Sequence, residues 1–118
     1  MRIIIAGGRE FKDYNFLEKK LNELWDKHLE LKNPTILCGM ATGVDSLSYK
    51  WAKSKGFEIK EYPAKWYKYG KAAGPMRNIL MAQNADALIA FWDGKSPGTS
   101  NMIDEAKKLN LKVKIIRY

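Results

Sequence analysis

Ala85-Asp86-Ala87-Leu88-Ile89-Ala90-Phe91-Trp92-Asp93-Gly94-Lys95-Ser96-Pro97-Gly98-Thr99-Ser100-Asn101-Met102-Ile103 reads as three consecutive segments. Ala87 to Trp92 is a short, unbroken apolar run, the pattern of a parallel strand covered on both faces. Asp93 to Gly98 is a tight loop with two glycines, and a helix opens at Thr99 or Ser100. The first turn of a helix leaves its N–H groups unpaired and carries the positive end of the dipole. Such a loop therefore suits an anion.

The pattern occurs twice more. Ile3-Ile4-Ile5-Ala6 runs into Gly7-Gly8-Arg9, and Thr35-Ile36-Leu37-Cys38 runs into Gly39-Met40-Ala41-Thr42-Gly43 and a further helix. Three strand ends followed by glycine loops predict one crevice at the carboxyl edge of a parallel sheet, where open α/β sheets bind their ligands. The expected fold class is α/β: a Rossmann-like three-layer sandwich, with a mostly parallel sheet of about five strands and about four helices. A chain of 118 residues forms a single domain, 1–118.

Composition narrows the class. Hydrophobic content of 46% with four tryptophans supplies a core, and no apolar run approaches bilayer-spanning length. Met1-Arg2 leads directly into a strand, so no signal peptide is expected. The single cysteine, Cys38, excludes an internal disulfide and fits a reducing, cytoplasmic setting. Lys+Arg 21 against Asp+Glu 13 gives +8, which favours anionic partners without separating nucleotide from nucleic acid or a membrane surface. Most lysines, such as Lys19, Lys20, Lys53 and Lys107, fall on the polar faces of predicted helices as solvated charge.

Along the chain, Asn15 and Glu18 resemble a capping box opening a helix that runs to about Leu31. Leu17, Leu21, Leu24, Trp25 and His28 share its inner side. Val44, Leu47, Trp51 and Ala52 form the apolar face of the second helix, which Gly56 closes. A third strand covers Phe57 to Tyr62. Pro63 to Gly74 is irregular, with Trp66, Tyr67 and Tyr69 among Lys65, Lys68 and Lys71: either a lid packed on the domain or a surface that stacks a base and holds its phosphate. Pro75 opens the third helix, with Met76, Ile79 and Leu80 turned to the core. The fourth helix uses Met102, Ile103, Ala106 and Leu109 inwardly, and Lys112 to Tyr118 is the last strand.

Candidate site residues follow from this layout. Arg77 and Asn78 stand in the first turn of the third helix. A cation there opposes the dipole unless an anion joins it, which makes Arg77 the foremost functional candidate. Asp45 opens the second helix, either complementing its dipole or accepting a sugar hydroxyl or an amine. No Gly-x-Gly-x-x-Gly, P-loop, zinc spacing or Ser–His–Asp set is present, so no metal or cofactor is expected.

Four motifs together carry a resemblance: Gly7-Gly8-Arg9-x-Phe11; Gly39-x-Ala41-x-Gly43-x-Asp45; Trp66-x-x-x-Gly70-x-x-Ala73-Gly74-Pro75-x-Arg77-Asn78; and Ala85-Asp86-Ala87-x-Ile89-Ala90-Phe91-Trp92-Asp93-Gly94-x-Ser96-x-Gly98-Thr99. They resemble the YspA-type branch of the SLOG superfamily, whose members are often encoded by bacteria and phages. The resemblance implies a Rossmann-like sheet and a nucleotide or nucleotide-derived ligand. More distantly, the chain is similar to LOG phosphoribohydrolases, which cut a base–ribose bond. Those carry an arginine matched here by Arg77 and a Pro-Gly-Gly-x-Gly-Thr-x-x-Glu motif matched only at Gly98-Thr99, with Met102 at the glutamate position. Asp45, Asp93 and Glu105 are the carboxylates left to substitute.

The first expectation is thus a nucleotide-ligand binding protein. Its phosphate rests on the Gly94 to Ser100 segment with Ser96, Gly98, Thr99, Ser100 and Arg77, beside Arg9 and the glycine loops of Gly7, Gly8, Gly39, Ala41 and Gly43. Asp45 takes sugar hydroxyls, Trp66 or Tyr69 covers the base, and Asn78 and Asp93 complete the shell. An N-glycosidic hydrolase using Arg77 and Asp45 is the second expectation, and nucleic-acid binding through Trp66 to Lys71 the third. Relatives in the resembled family suggest a homodimer; no membrane partner is expected.

Overall fold

A computed structural model describes residues 1–28 and 33–118. The elements run β1 (Arg2–Gly7), α1 (Tyr14–Lys27), β2 (Thr35–Cys38), α2 (Val44–Lys55), β3 (Glu58–Glu61), α3 (Trp66–Tyr69), a 3-10 turn (Gly70–Ala72), α4 (Ala73–Gln83), β4 (Ala87–Trp92), α5 (Pro97–Lys108) and β5 (Lys112–Arg117).

The five strands form one sheet in the order β3-β2-β1-β4-β5, and every neighbouring pair is parallel. Ile4 of β1 stands between Leu37 of β2 and Leu88 of β4. The chain starts at the centre, builds outward to β3, then returns through α4 to the other side of β1. The direction of winding therefore reverses between β1 and β4, the place where such sheets open a crevice.

Successive strand residues point to opposite faces, which explains the unbroken isoleucines of β1. Ile3 and Ile5 pack with Leu17 and Leu21 of α1 and Val44 and Trp51 of α2. Ile4 and Ala6 pack on the other face with Met81 and Ala82 of α4 and Met102, Ile103 and Ala106 of α5. The result is the expected three-layer α/β arrangement. No helix among the described residues is long and apolar enough to cross a membrane.

Several local expectations are corrected. Asp13, not Asn15, caps α1, its carboxylate accepting the Phe16 N–H at 3.1 Å. The expected end near Leu31 lies outside the described residues. The irregular stretch before Gly74 folds into α3 and the 3-10 turn, and α4 starts at Ala73, two residues before Pro75. Proline is tolerated there because first-turn N–H groups have no partner within the helix. That start also alters which side faces inward. Ala73, Gly74, Asn78, Met81 and Ala82 are buried, whereas Met76, Ile79 and Leu80 are 43%, 40% and 49% exposed. Small residues let α4 approach closely at Gly74, which lies against Trp66, and Asn78 is buried because α5 supplies its hydrogen bonds. The last helix opens at Pro97 with Ser96 as its cap, and Leu109 ends it as an exposed cap residue.

Candidate functional site

A cleft of about 520 Å³ lies at the carboxyl ends of β1 and β4. That is within the roughly 300–1,000 Å³ usual for small-molecule sites. Its walls come from the loops after β1, β2 and β4, the stretch from Trp66 to Asn78, the start of α5 and Tyr118.

Two charged groups of the cleft, Asp45 and Arg77, come together on one wall. Asp45 sits in the first turn of α2 and is buried; its Oδ2 accepts the Ala41 N–H at 3.2 Å. Arg77 reaches from α4, donating through Nη1 to the carbonyls of Gly39 (2.5 Å) and Tyr62 (3.5 Å) and through Nε to Asn78 Oδ1 (3.0 Å). Gly39 is the point where they meet: a Cβ there would run into Arg77 Nη1 and Asp45 Oδ2. Arg77 is thus one turn inside α4, not in its first turn. The carbonyls of Gly39 and Tyr62 engage its Nη1. Burial pushes the Asp45 carboxyl above its ordinary range, against the Ala41 hydrogen bond and the charges of Arg77 and Arg9. Burial likewise lowers Arg77, and Asp45 counters it. Cys38, beneath them, is raised to about 11 by desolvation and is inert as a thiolate at neutral pH.

The wall between α4 and α5 is tied by Asn78, whose amide donates to Asn101 Oδ1 at 2.9 Å and to the Gly98 carbonyl at 3.4 Å. At the start of α5, Asp93 Oδ1 already accepts the N–H groups of Lys95 and Ser96, each at 2.8 Å. The first intrahelical bond runs from Ser100 N–H to the Ser96 carbonyl. Pro97 has no N–H, so the amides left to face an anion are those of Gly98 and Thr99. The expected cradle from Gly94 to Ser100 is narrower than its sequence suggests. Gly94 (φ +85°) serves another purpose, since a Cβ there would strike the Arg117 guanidinium.

At the mouth, Arg9 lies over the Trp66 ring, 5.1 Å from its centroid. The backbone behind it is pinned by Thr42 Oγ1 donating to the Arg9 carbonyl (3.3 Å) and Val44 N–H donating to the Gly8 carbonyl (3.1 Å). Gly43 (φ +72°) allows this junction, because a Cβ would meet the Gly8 carbonyl and the Arg9 backbone.

Of the sequence candidates, Gly7, Gly8, Arg9, Ala41, Asp45, Trp66, Arg77, Asn78, Asp93, Ser96, Gly98 and Thr99 converge on the cleft. Gly39, Gly43, Gly94, Tyr69 and Ser100 do not line it; the three glycines act by letting other groups approach. Glu105 also stays outside, beside Lys108 at 3.6 Å. Lys71, named with the aromatic loop as a phosphate-holding lysine, also lines the cleft, and sequence reasoning missed Glu10, Asn101 and Tyr118. Two of these were signalled. Parallel strands all end at one edge, so the residue after β5 arrives at the crevice, and Asn101 is one helical turn beyond Gly98. Cationic Arg9, Lys71 and Arg77 are opposed by Glu10, Asp45 and Asp93, so the cleft is charge-balanced rather than uniformly positive.

Comparison with known proteins places this geometry in context. Residues 1–69 match the family described as YspA, cpYpsA-related SLOG. The chain is 32% identical over 118 residues to the Gene 61 protein of Mycobacterium phage D29, covering 95% of this chain and 93% of that protein. It superposes on DNA processing protein A (DprA) from Streptococcus pneumoniae with a TM-score of 0.74 at 17% identity, across 99% of this chain. It spans 50% of that structure's length, and the likeness is one of fold.

Proposed function

The chain belongs to the YspA, cpYpsA-related SLOG family, and from that premise we propose that it binds a nucleotide or nucleotide-derived small molecule in the cleft between β1 and β4. The observation that carries the reading is the unused bonding capacity of Asp45 and Arg77, the two charged groups that meet at Gly39. Asp45 Oδ1 and Arg77 Nη2 make no hydrogen bond to any described residue, although Asp45 is 6% exposed. Both atoms remain reachable from the cleft, so the pair is suited to a ligand offering both acceptor and donor groups. On this reading the phosphate rests on the Gly98 and Thr99 amides with Arg77 and the Ser96 hydroxyl. Asp45 accepts sugar hydroxyls, and Trp66 covers the base. Calorimetry against a panel of mono- and dinucleotides tests it. Affinity tighter than millimolar, lost at least tenfold in Arg77→Ala, is expected from a charge-assisted contact. No binding across the panel refutes it.

Turnover is the weaker form of the reading. Met102, at the position of the LOG glutamate, is 1% exposed and apolar; of the cleft carboxylates Glu10, Asp45 and Asp93, Asp45 meets Arg77 at Gly39 and is the candidate to activate a water. Release of free base, abolished in Asp45→Asn, supports a hydrolase; inert nucleotides dismiss it.

A second reading, nucleic-acid binding, is favoured by one observation. Tyr67 is 89% exposed beside exposed Trp66, Lys65, Lys68 and Lys71, a stacking and charge combination suited to single strands, and the structural neighbour is named for DNA processing. Oligonucleotide affinity falling steeply with salt supports it; weak, salt-insensitive binding removes it.

The exposed Met76, Ile79 and Leu80 side of α4 supplies an apolar surface for a second copy of the chain, and a homodimer is part of the proposal.

A further inference from the structure

Arg9 and Trp66 close the mouth of the cleft by stacking on each other, and neither is held there by anything stronger. The Arg9 guanidinium makes no hydrogen bond or ion pair with a described residue; its contact is the cation–π approach to Trp66, 5.1 Å from the ring centroid. Five N–H donors are therefore uncommitted, on a side chain that is exposed while its own backbone is fixed through Gly8, Thr42 and Val44. The guanidinium is close enough to the Asp45–Arg77 pair to act on both electrostatically. Trp66 is 47% exposed, and its six-membered ring rests on Gly74, where a Cβ would come within 3.2 Å of Cη2. Gly74 thus supports the indole from below while Arg9 occupies a face of it.

We propose that Arg9 is a displaceable cap on a base-stacking platform, and that docking of a nucleotide exchanges it from the Trp66 ring to the ligand's phosphate. This rests on the nucleotide reading of the cleft given above. Arg9 loses a weak contact and gains a charge-assisted one, and the vacated indole face receives the base. The exchange makes the two halves of the ligand interdependent. A nucleoside that lacks the phosphate must compete with Arg9 for Trp66, whereas a nucleotide draws Arg9 away. The cleft therefore discriminates against unphosphorylated nucleosides by more than the missing phosphate contacts alone.

The exchange separates two kinds of ligand in one variant. The four ribonucleoside monophosphates are titrated by calorimetry, followed by the nucleoside of the tightest binder. In Arg9→Ala the nucleotide weakens about tenfold or more, the loss of a charge-assisted contact. The nucleoside tightens roughly two- to fivefold, the release from a cation–π competitor. In Trp66→Leu both weaken while inorganic phosphate, no longer competing with the indole for Arg9, binds at least as tightly as before, and the nucleotide-induced change in tryptophan emission present in the parent protein disappears. A nucleoside that weakens or is unchanged in Arg9→Ala overturns the exchange and leaves the nucleotide reading standing. If no monophosphate binds the parent protein tighter than millimolar, the nucleotide reading itself falls, and the exchange with it.

Discussion

Asp45 and Arg77 approach each other from opposite faces of the sheet, one on α2 and the other on α4, and they meet over Gly39, at the end of β2. Gly39 matters because it has no side chain: its carbonyl accepts from Arg77 Nη1 and its α-carbon leaves room for both charged groups.

Gly39→Ala is accordingly expected to destabilise the fold by about 1–3 kcal/mol, the usual cost of forcing atoms into a packed site. It should also weaken ligand binding, because Arg77 and Asp45 must both shift. Gly98→Ala is the control, since a Cβ there meets nothing within 4 Å. Its stability should change by no more than about 0.5 kcal/mol. Urea denaturation of the two variants side by side checks this; equal losses contradict the steric account.

The raised Asp45 carboxyl has a definite consequence for pH. A carboxyl that holds its proton more tightly when folded than when unfolded makes the folded state bind more protons, so stability falls as pH rises. The penalty is absent below the unfolded value of about 4 and complete above the folded one. Burial is the cause, with the Ala41 hydrogen bond and Arg77 working against it. Asp45→Asn removes the penalty and keeps an acceptor for the Ala41 N–H. Relative to the parent chain, that variant should gain stability as pH increases from about 4 and then level off. A difference that shrinks over that range contradicts the assignment.

The Rossmann-like architecture was legible because its signals are local. The unbroken apolar run from Ala87 to Trp92 and the isoleucines of β1 mark strands buried on both faces, and each ends on a turn that glycine permits. Convergence of Gly7, Arg9, Asp45 and Gly98 followed from parallel strands ending at one edge. The facing of α4 was not legible. Three of its four large apolar residues, Met76, Ile79 and Leu80, lie on the exposed side, and the polar Asn78 is inside, satisfied by Asn101, a partner 23 residues away that no periodicity reveals. The role of Asp93 was hidden for a similar reason: a loop carboxylate reads as a ligand group until its own chain's amides are seen to occupy it.

Asp93 supplies a prediction of opposite sign to that of Asp45. The N–H groups of Ser96 and then Lys95 hold its carboxyl below the ordinary range. Such a group stabilises the fold above its unfolded value and loses that contribution as pH falls through the folded one. Asp93→Ala should therefore flatten the acid side of the stability profile below about pH 4. It also frees two loop amides and removes a negative charge beside the Gly98 and Thr99 amides. Inorganic phosphate should bind the variant several-fold more tightly than the parent chain. Weaker phosphate binding would show that Asp93 organises the anion site instead of competing with it.

The outer side of α4 offers a test of association. Met76, Ile79 and Leu80 lie at positions i, i+3 and i+4, so they form one continuous apolar strip 40% or more exposed. An exposed strip of this kind offers itself to a covering surface, and a second α4 related by a two-fold axis presents the same residues in return. Leu80→Glu places a charge in the middle of that contact at an exposed position, and leaves in place the buried Met81 and Ala82 that hold α4 to the sheet. Sedimentation equilibrium is expected to show a dimer for the parent chain and a monomer for the variant, with the circular dichroism of both unchanged. A parent chain that sediments as a monomer at micromolar concentration excludes the pairing.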